Sequence, residues 1–93
     1  MDAEMALKQN IGTLVDVRSH QEYIGGNVSG SVNIPVTELT QRIEELKSLE
    51  QPLVFCCASG MRSSRATQIL ASIGFECFDA GSWLNANYYQ SKS

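Results

Sequence analysis

The most constraining stretch of this chain is residues 52–56, Pro-Leu-Val-Phe-Cys, an almost unbroken apolar run. A strand with one wet face alternates apolar and polar positions. A short run without that alternation suits a strand covered on both faces, as in a parallel sheet. The run leads directly into Cys57-Ala58-Ser59-Gly60-Met61-Arg62, a compact segment that precedes a helical pattern. In open α/β sheets, ligands bind beyond the carboxyl ends of the strands, where helices begin. The loop after Phe55 is therefore the first place to look for chemistry.

Three more segments read as strands: residues 13–17, 31–34 (closed by Pro35) and 76–79. Helical patterns separate the later ones. Leu39, Ile43 and Leu46 recur at steps of four and three within 36–49, and Thr37 is a candidate N-cap. Ala66, Ile69, Leu70 and Ile73 repeat the pattern within 64–73, and Gly74 supplies a left-handed stop. Short helical turns are expected at 20–24 and 83–89, with a weaker pattern in the first nine residues. Strand, helix, strand, helix, strand is the rhythm of an α/β sheet with right-handed crossovers.

At 93 residues the chain is expected to form a single domain spanning 1–93. Hydrophobic residues make up 43% and charged residues 18%, values that exclude an intrinsically disordered segment. No apolar run is long enough to cross a bilayer, and the first ten residues lack the basic-then-apolar plan of a secretory signal. A cytoplasmic protein without membrane contact is the expectation. The net charge of -3 and the lack of a basic stripe argue against nucleic acid as a partner. Three cysteines, an odd count, argue against a disulfide framework. With one histidine, His20, and no Cys-x-x-Cys, neither a metal site nor a cofactor is expected.

Within the loop, Gly60 permits a turn that a side chain would obstruct, and Ser63 and Ser64 suit a helix start. A tight loop feeding a helix aims backbone N–H groups inward, and such a nest binds anions. A thiol held there has a lowered pKa, so Cys57 reads as a nucleophilic thiolate. Arg62 brings a permanent positive charge, either to an anionic substrate or to a structural carboxylate.

Counted from Cys57, the spacing to Arg62 is Cys-x4-Arg. Counted from Cys56, it is Cys-x5-Arg, the count that protein tyrosine phosphatases use. Gly60 stands three residues after Cys57, the position such loops favour, and Cys56 still belongs to the apolar run. Cys57 is thus the chosen nucleophile and Cys56 a core residue. The shorter loop makes a tighter cup, which disfavours a tetrahedral phosphate ester, although a phosphatase or arsenate reductase remains an alternative.

The loop resembles the Cys-x-x-Gly-x-Arg-Ser signature of the rhodanese-like domains, especially small single-domain bacterial sulfurtransferases. Further blocks agree: Leu14-Val15-Asp16-Val17-Arg18, Glu22-Tyr23, Gly26, Gly30-Ser31, Asn33-Ile34-Pro35 and Ala80-Gly81-Ser82-Trp83. The similarity is strongest over residues 13–83. Asn27, Ser29 and Ala80 depart from the family's common His, Pro and Gly. The resemblance implies a three-layer α/β fold with a small, mostly parallel sheet of four to five strands and helices on both faces. It implies a sulfurtransferase in which Cys57 takes sulfur from a donor such as thiosulfate, becomes a persulfide and passes the sulfur to cyanide, a thiol or a protein. Ala58, Ser59, Gly60, Met61 and Arg62 would bind the substrate, and a monomer is expected. A non-catalytic binding or sulfur-relay module is the other family-level alternative.

Other polar residues read more quietly. Asp16 is expected to support the loop from the end of the first strand. Arg18 and Glu22 are candidates to pair with each other. His20 reads as a solvated loop residue, Cys77 as buried, and Trp83 as a packing residue.

Overall fold

The computed structural model describes all residues, Met1–Ser93. Its four strands are β1 (Thr13–Asp16), β2 (Val32–Asn33), β3 (Leu53–Cys57) and β4 (Cys77–Ser82). They form one sheet in the order β2-β1-β3-β4, and every pairing is parallel. The helices are α1 (Ala3–Lys8), α2 (His20–Ile24), α3 (Ile43–Lys47), α4 (Met61–Ser72) and α5 (Trp83–Gln90), with a 3₁₀ helix over Val36–Gln41. No helix is long and apolar enough to cross a membrane.

All five residues of β3 are buried, as its sequence demands. Strand alternation divides them between two cores. Leu53, Phe55 and Cys57 join Val15, Leu39, Leu46, Ala66 and Leu70 under α3, α4 and the 3₁₀ helix. Val54 and Cys56 join Leu14, Ala3, Ala6, Leu7 and Ala86 under α1 and α5. The neighbouring cysteines therefore point to opposite faces, and the architecture is the expected three-layer α/β fold with four strands, all parallel.

Several boundaries differ from the sequence reading. The 36–49 pattern is not one helix. It is a 3₁₀ segment with Pro35 at its cap and no side-chain cap from Thr37, followed by α3. The step of four from Leu39 to Ile43 crosses the junction at Arg42 and happens to match an α-helical step, so the spacing alone does not reveal the break. Helix α4 begins at Met61, three residues before the expected start. Strand β4 runs on to Ser82, with an irregularity opposite Phe55 and Cys56 that shifts Cys56 onto Gly81. The opening residues do form a helix, α1, capped by the Asp2 carboxylate accepting the Met5 N–H at 2.9 Å.

Candidate active site

Strand β3 ends at the carboxyl edge of the sheet, and its last residue is Cys57. The next three residues turn the chain into α4. Gly60 makes the turn with φ of +100°, outside the range that side chains readily adopt. That conformation directs the Gly60 N–H back to Cys57 Sγ at 3.0 Å. The Ser63 N–H, in the first turn of α4, reaches the same sulfur at 3.3 Å. The thiol itself lies 3.5 Å from Ser63 Oγ, whose own proton can go to the Gly60 carbonyl at 3.1 Å or the Gly81 carbonyl at 3.4 Å.

Two effects compete at this sulfur. Burial, the largest, pushes the thiol pKa up. The Ser63 hydroxyl and the N–H groups of Ser63, Gly60 and Ser59 pull it down, and together they prevail, so Cys57 is more acidic than an ordinary thiol. Cys56 has no such donors. Burial beside the Asp16 carboxylate pushes its thiol far up, which keeps it neutral. Cys77 is also raised by burial. It pairs with Leu53, four residues before Cys57 on β3, about 13 Å along the strand. Cys77 therefore stands at the wrong end of the sheet to resolve an oxidised Cys57.

The sulfur has no exposed surface, while Ala58, Ser59 and Met61 above it are exposed, Met61 by 80%. These residues form the rim of the cup, and the sulfur lies at its floor. Arg62 turns to the side: its guanidinium grips Glu22 through bonds of 2.7 and 3.0 Å. In this structure Arg62 holds the Glu22 carboxylate, and Glu22 pairs with Arg62, not with Arg18. Glu22 is fixed from its other side by the capping box of α2, where the Ser19 N–H donates to its carboxylate at 3.0 Å. The Arg62 guanidinium, followed by Ser19, lowers Glu22 from 4.5 to about 2.

Arg18 instead pairs with Asp16, in the buried centre of the sheet edge. Their closest contact is 2.8 Å, and both side chains are out of solvent. The same guanidinium donates to the Gly26 carbonyl at 2.6 Å and stacks 4.6 Å from the centre of the Trp83 ring. Trp83 thus packs the fold, as its sequence context suggested. A side chain at Gly26 would crowd that ring, its Cβ falling 3.2 Å from Cη2. His20 hydrogen-bonds Asn33 at 3.3 Å and does not contact Cys57. No group of three or more His, Cys, Asp or Glu residues is arranged to hold a metal.

Sequence reasoning missed Ser63 as a partner of the sulfur, reading it only as a helix-start residue. The signal was its spacing of six from Cys57, which places it in the first turn above the strand end. It also missed Glu22, whose tie to Arg62 depends on the β1–β3 pairing rather than on any local pattern.

Fold and site together define an all-parallel α/β protein with a cysteine held in a cage of backbone N–H groups at the end of its central strand. The rhodanese-like domain model matches residues 2–85, and the chain belongs to that family. It is 39% identical over 75 residues to the human thiosulfate:glutathione sulfurtransferase, covering 67% of this chain and 65% of that one. It is similar to the structure of a human single-domain sulfurtransferase, with TM-score 0.71 and 32% identity, covering 96% of this chain and 90% of that one. A rhodanese-related protein of Thermoplasma volcanium superimposes with TM-score 0.78 at 26% identity, covering 100% and 93%. The chain spans less than two thirds of the length of the curated relatives it matches. At the level of the family, the role is sulfur transfer or sulfur relay.

Proposed function

We propose that the protein is a sulfurtransferase that carries sulfur as a persulfide on Cys57. The observation that carries this reading is the convergence of the Gly60 and Ser63 N–H groups on one sulfur. Donors arranged this way stabilise a thiolate before the reaction and a persulfide anion after it, with no reorganisation in between. The Cys57 thiolate attacks the outer sulfur of thiosulfate. A new S–S bond forms, the bond to the sulfonate sulfur breaks, and sulfite leaves with that bond's electron pair. An acceptor nucleophile then attacks the outer sulfur of the persulfide, and Cys57 departs as a thiolate. When Cys57 is ionised, the Ser63 hydroxyl can turn from the Gly60 carbonyl to donate to the sulfur.

Two further features favour sulfur over phosphorus as the electrophile. The guanidinium that would bind a phosphate ester is committed to Glu22. The cup from Cys57 to Arg62 is also one residue shorter than the phosphatase count. The name of the human relative supports thiosulfate as donor and a thiol as acceptor.

The test is intact mass after incubation with thiosulfate. The protein should gain one sulfur atom, which cyanide removes. Cys57→Ser should gain none, while Cys56→Ser should load normally. Sulfur retained on the Cys57→Ser protein would refute the assignment.

A further inference from the structure

Helix α4 carries two arginines, Arg62 and Arg65, and no acidic residue. Three positions apart on a helix, they are neighbours, and like charges so placed repel. Arg62 also stands in the first turn, at the positive end of the helix dipole. Glu22 offsets Arg62 from outside the helix, and Arg18 and Arg42 likewise hold carboxylates of the protein. Arg65 alone among the four arginines has no such partner. Its side chain is exposed and makes neither an ion pair nor a hydrogen bond.

Both arginines line a cleft of about 410 Å³ between α4 and the 3₁₀ helix. Thr37 and Thr40 line it from the 3₁₀ helix; both are exposed, and their hydroxyls make no hydrogen bond within the protein. Val36 and Ile69 pack against the core and give the cleft apolar surface. No acidic side chain lines it. Glu22 and Glu38, on the adjoining elements, are held by Arg62 and Arg42, so neither opposes an incoming anion. None of residues 57–61 lines it either, so the cleft is separate from the sulfur cup. Glu22 takes Nη1 and Nη2 of Arg62 and leaves its Nε–H free, while every N–H of the Arg65 guanidinium is free.

The volume suits a small organic molecule, and the donors decide its charged group. A carboxylate brings one charge and two oxygens. A phosphate monoester brings nearly two charges and three terminal oxygens, enough to answer a free guanidinium, one further N–H and two hydroxyls together. We infer that this cleft is a second anion site, which binds the phosphate monoester of a small, partly apolar molecule. The phosphate rests on Arg65 with the Thr37 and Thr40 hydroxyls at its sides, and Arg62 adds only its Nε–H. The organic part lies on Val36 and Ile69. Because the ester lies outside the cup, it is bound and not cleaved, and it neither gives nor takes sulfur. Its binding is independent of a persulfide on Cys57.

Phenyl phosphate is the probe, titrated by NMR into the wild-type protein and into Cys57→Ser, which has no nucleophile to cleave it. Both should bind it equally, with the largest shifts at Thr37, Thr40 and Arg65 and smaller ones at Ser59 and Gly60. Arg65→Gln should weaken binding about tenfold, and Arg65→Lys should recover part of it. Both variants should still gain sulfur from thiosulfate as the wild type does. Inorganic phosphate, without an organic part, and benzoate, with one charge, should each bind more weakly than phenyl phosphate. Shifts centred on Ser59 and Gly60, with binding lost in Cys57→Ser, would place the anion in the sulfur cup and overturn the cleft site. An affinity indifferent to Arg65, benzoate bound as well as phenyl phosphate, or no binding at millimolar concentrations would overturn it too.

Discussion

Arg62 and Glu22 lie 40 residues apart in sequence and meet through two parallel hydrogen bonds of 2.7 and 3.0 Å. The contact ties the end of the Cys57 loop to helix α2, which follows the neighbouring strand. Both side chains are 37% exposed, so water screens the pair, and its worth to stability is about 0.5–1 kcal/mol. Its larger effect is on position, because it fixes the residue that closes the sulfur cup.

Glu22→Gln should therefore separate stability from activity. At neutral pH the variant should lose no more than about 1 kcal/mol in denaturant unfolding. Its kcat/KM for sulfur transfer should fall more steeply, by about tenfold, because the cup loses its lateral anchor. The stability difference carries a pH signature. Glu22 has a lower pKa folded than unfolded, so its contribution is complete above about 4.5 and disappears as pH falls toward 2. Melting curves between pH 5 and 2 should show wild type converging on the variant; a constant gap would mean that the carboxylate is not what Arg62 holds.

The cage predicts how Cys57 titrates. Thiosulfate loading should rise with pH and level off below 9.0, the midpoint of an ordinary thiol. Ser63→Ala removes one of the donors that offset burial, so its midpoint should move upward and its rate at neutral pH should drop. Thiolate absorbance in a background with Cys56 and Cys77 replaced by Ser would read the midpoint directly. An unchanged midpoint in Ser63→Ala would leave the backbone N–H groups as the whole cause.

The parts of this molecule visible in its sequence are those set by local pattern. The buried run of β3, the left-handed Gly74 and the separation of Cys56 from Cys57 all follow from apolar order, glycine and strand alternation. The start of α4 did not, because Gly60 at φ +100° serves as the helix cap and makes Met61 and Arg62 helical while they read as loop. Strand β4 reads as ending at Asp79, yet Ala80, Gly81 and Ser82 continue it through the irregular register against Cys56 and Cys57. The partners of the charged residues were the least legible. Arg18 and Glu22 are four residues apart and read as a pair, but Arg18 binds Asp16 on β1 and Glu22 binds Arg62 on α4.

Gly60→Ala isolates the backbone contribution to the cup. An added Cβ would meet only Gly81 Cα, at 3.6 Å, so there is room for it. The cost is conformational: a side chain at φ +100° is strained by about 1–3 kcal/mol. If the loop relaxes to relieve that strain, the N–H at 3.0 Å from the sulfur moves away. The variant should therefore be less stable by that amount and also carry a higher Cys57 midpoint. A destabilised protein with the wild-type midpoint would show that the loop holds its shape without glycine.

The buried Asp16–Arg18 pair makes a contrasting case to the exposed one. Asp16 is fully buried and Arg18 nearly so. Asp16 accepts from the Arg18 backbone N–H at 3.0 Å as well as from its guanidinium, and Arg18 continues to the Gly26 carbonyl and the Trp83 ring. Removing one charge leaves the other desolvated without a partner, at a cost of about 3–5 kcal/mol. Asp16→Asn should accordingly be far more damaging than Glu22→Gln, despite a similar chemical change. The double variant Asp16→Asn with Arg18→Met removes the stranded charge while keeping an unbranched side chain near Trp83. It should regain much of the lost stability, since a buried ion pair is seldom worth more than the apolar packing that replaces it. Urea unfolding of the two single variants and the double variant measures the coupling; additive losses would mean that the two side chains act independently at the sheet edge.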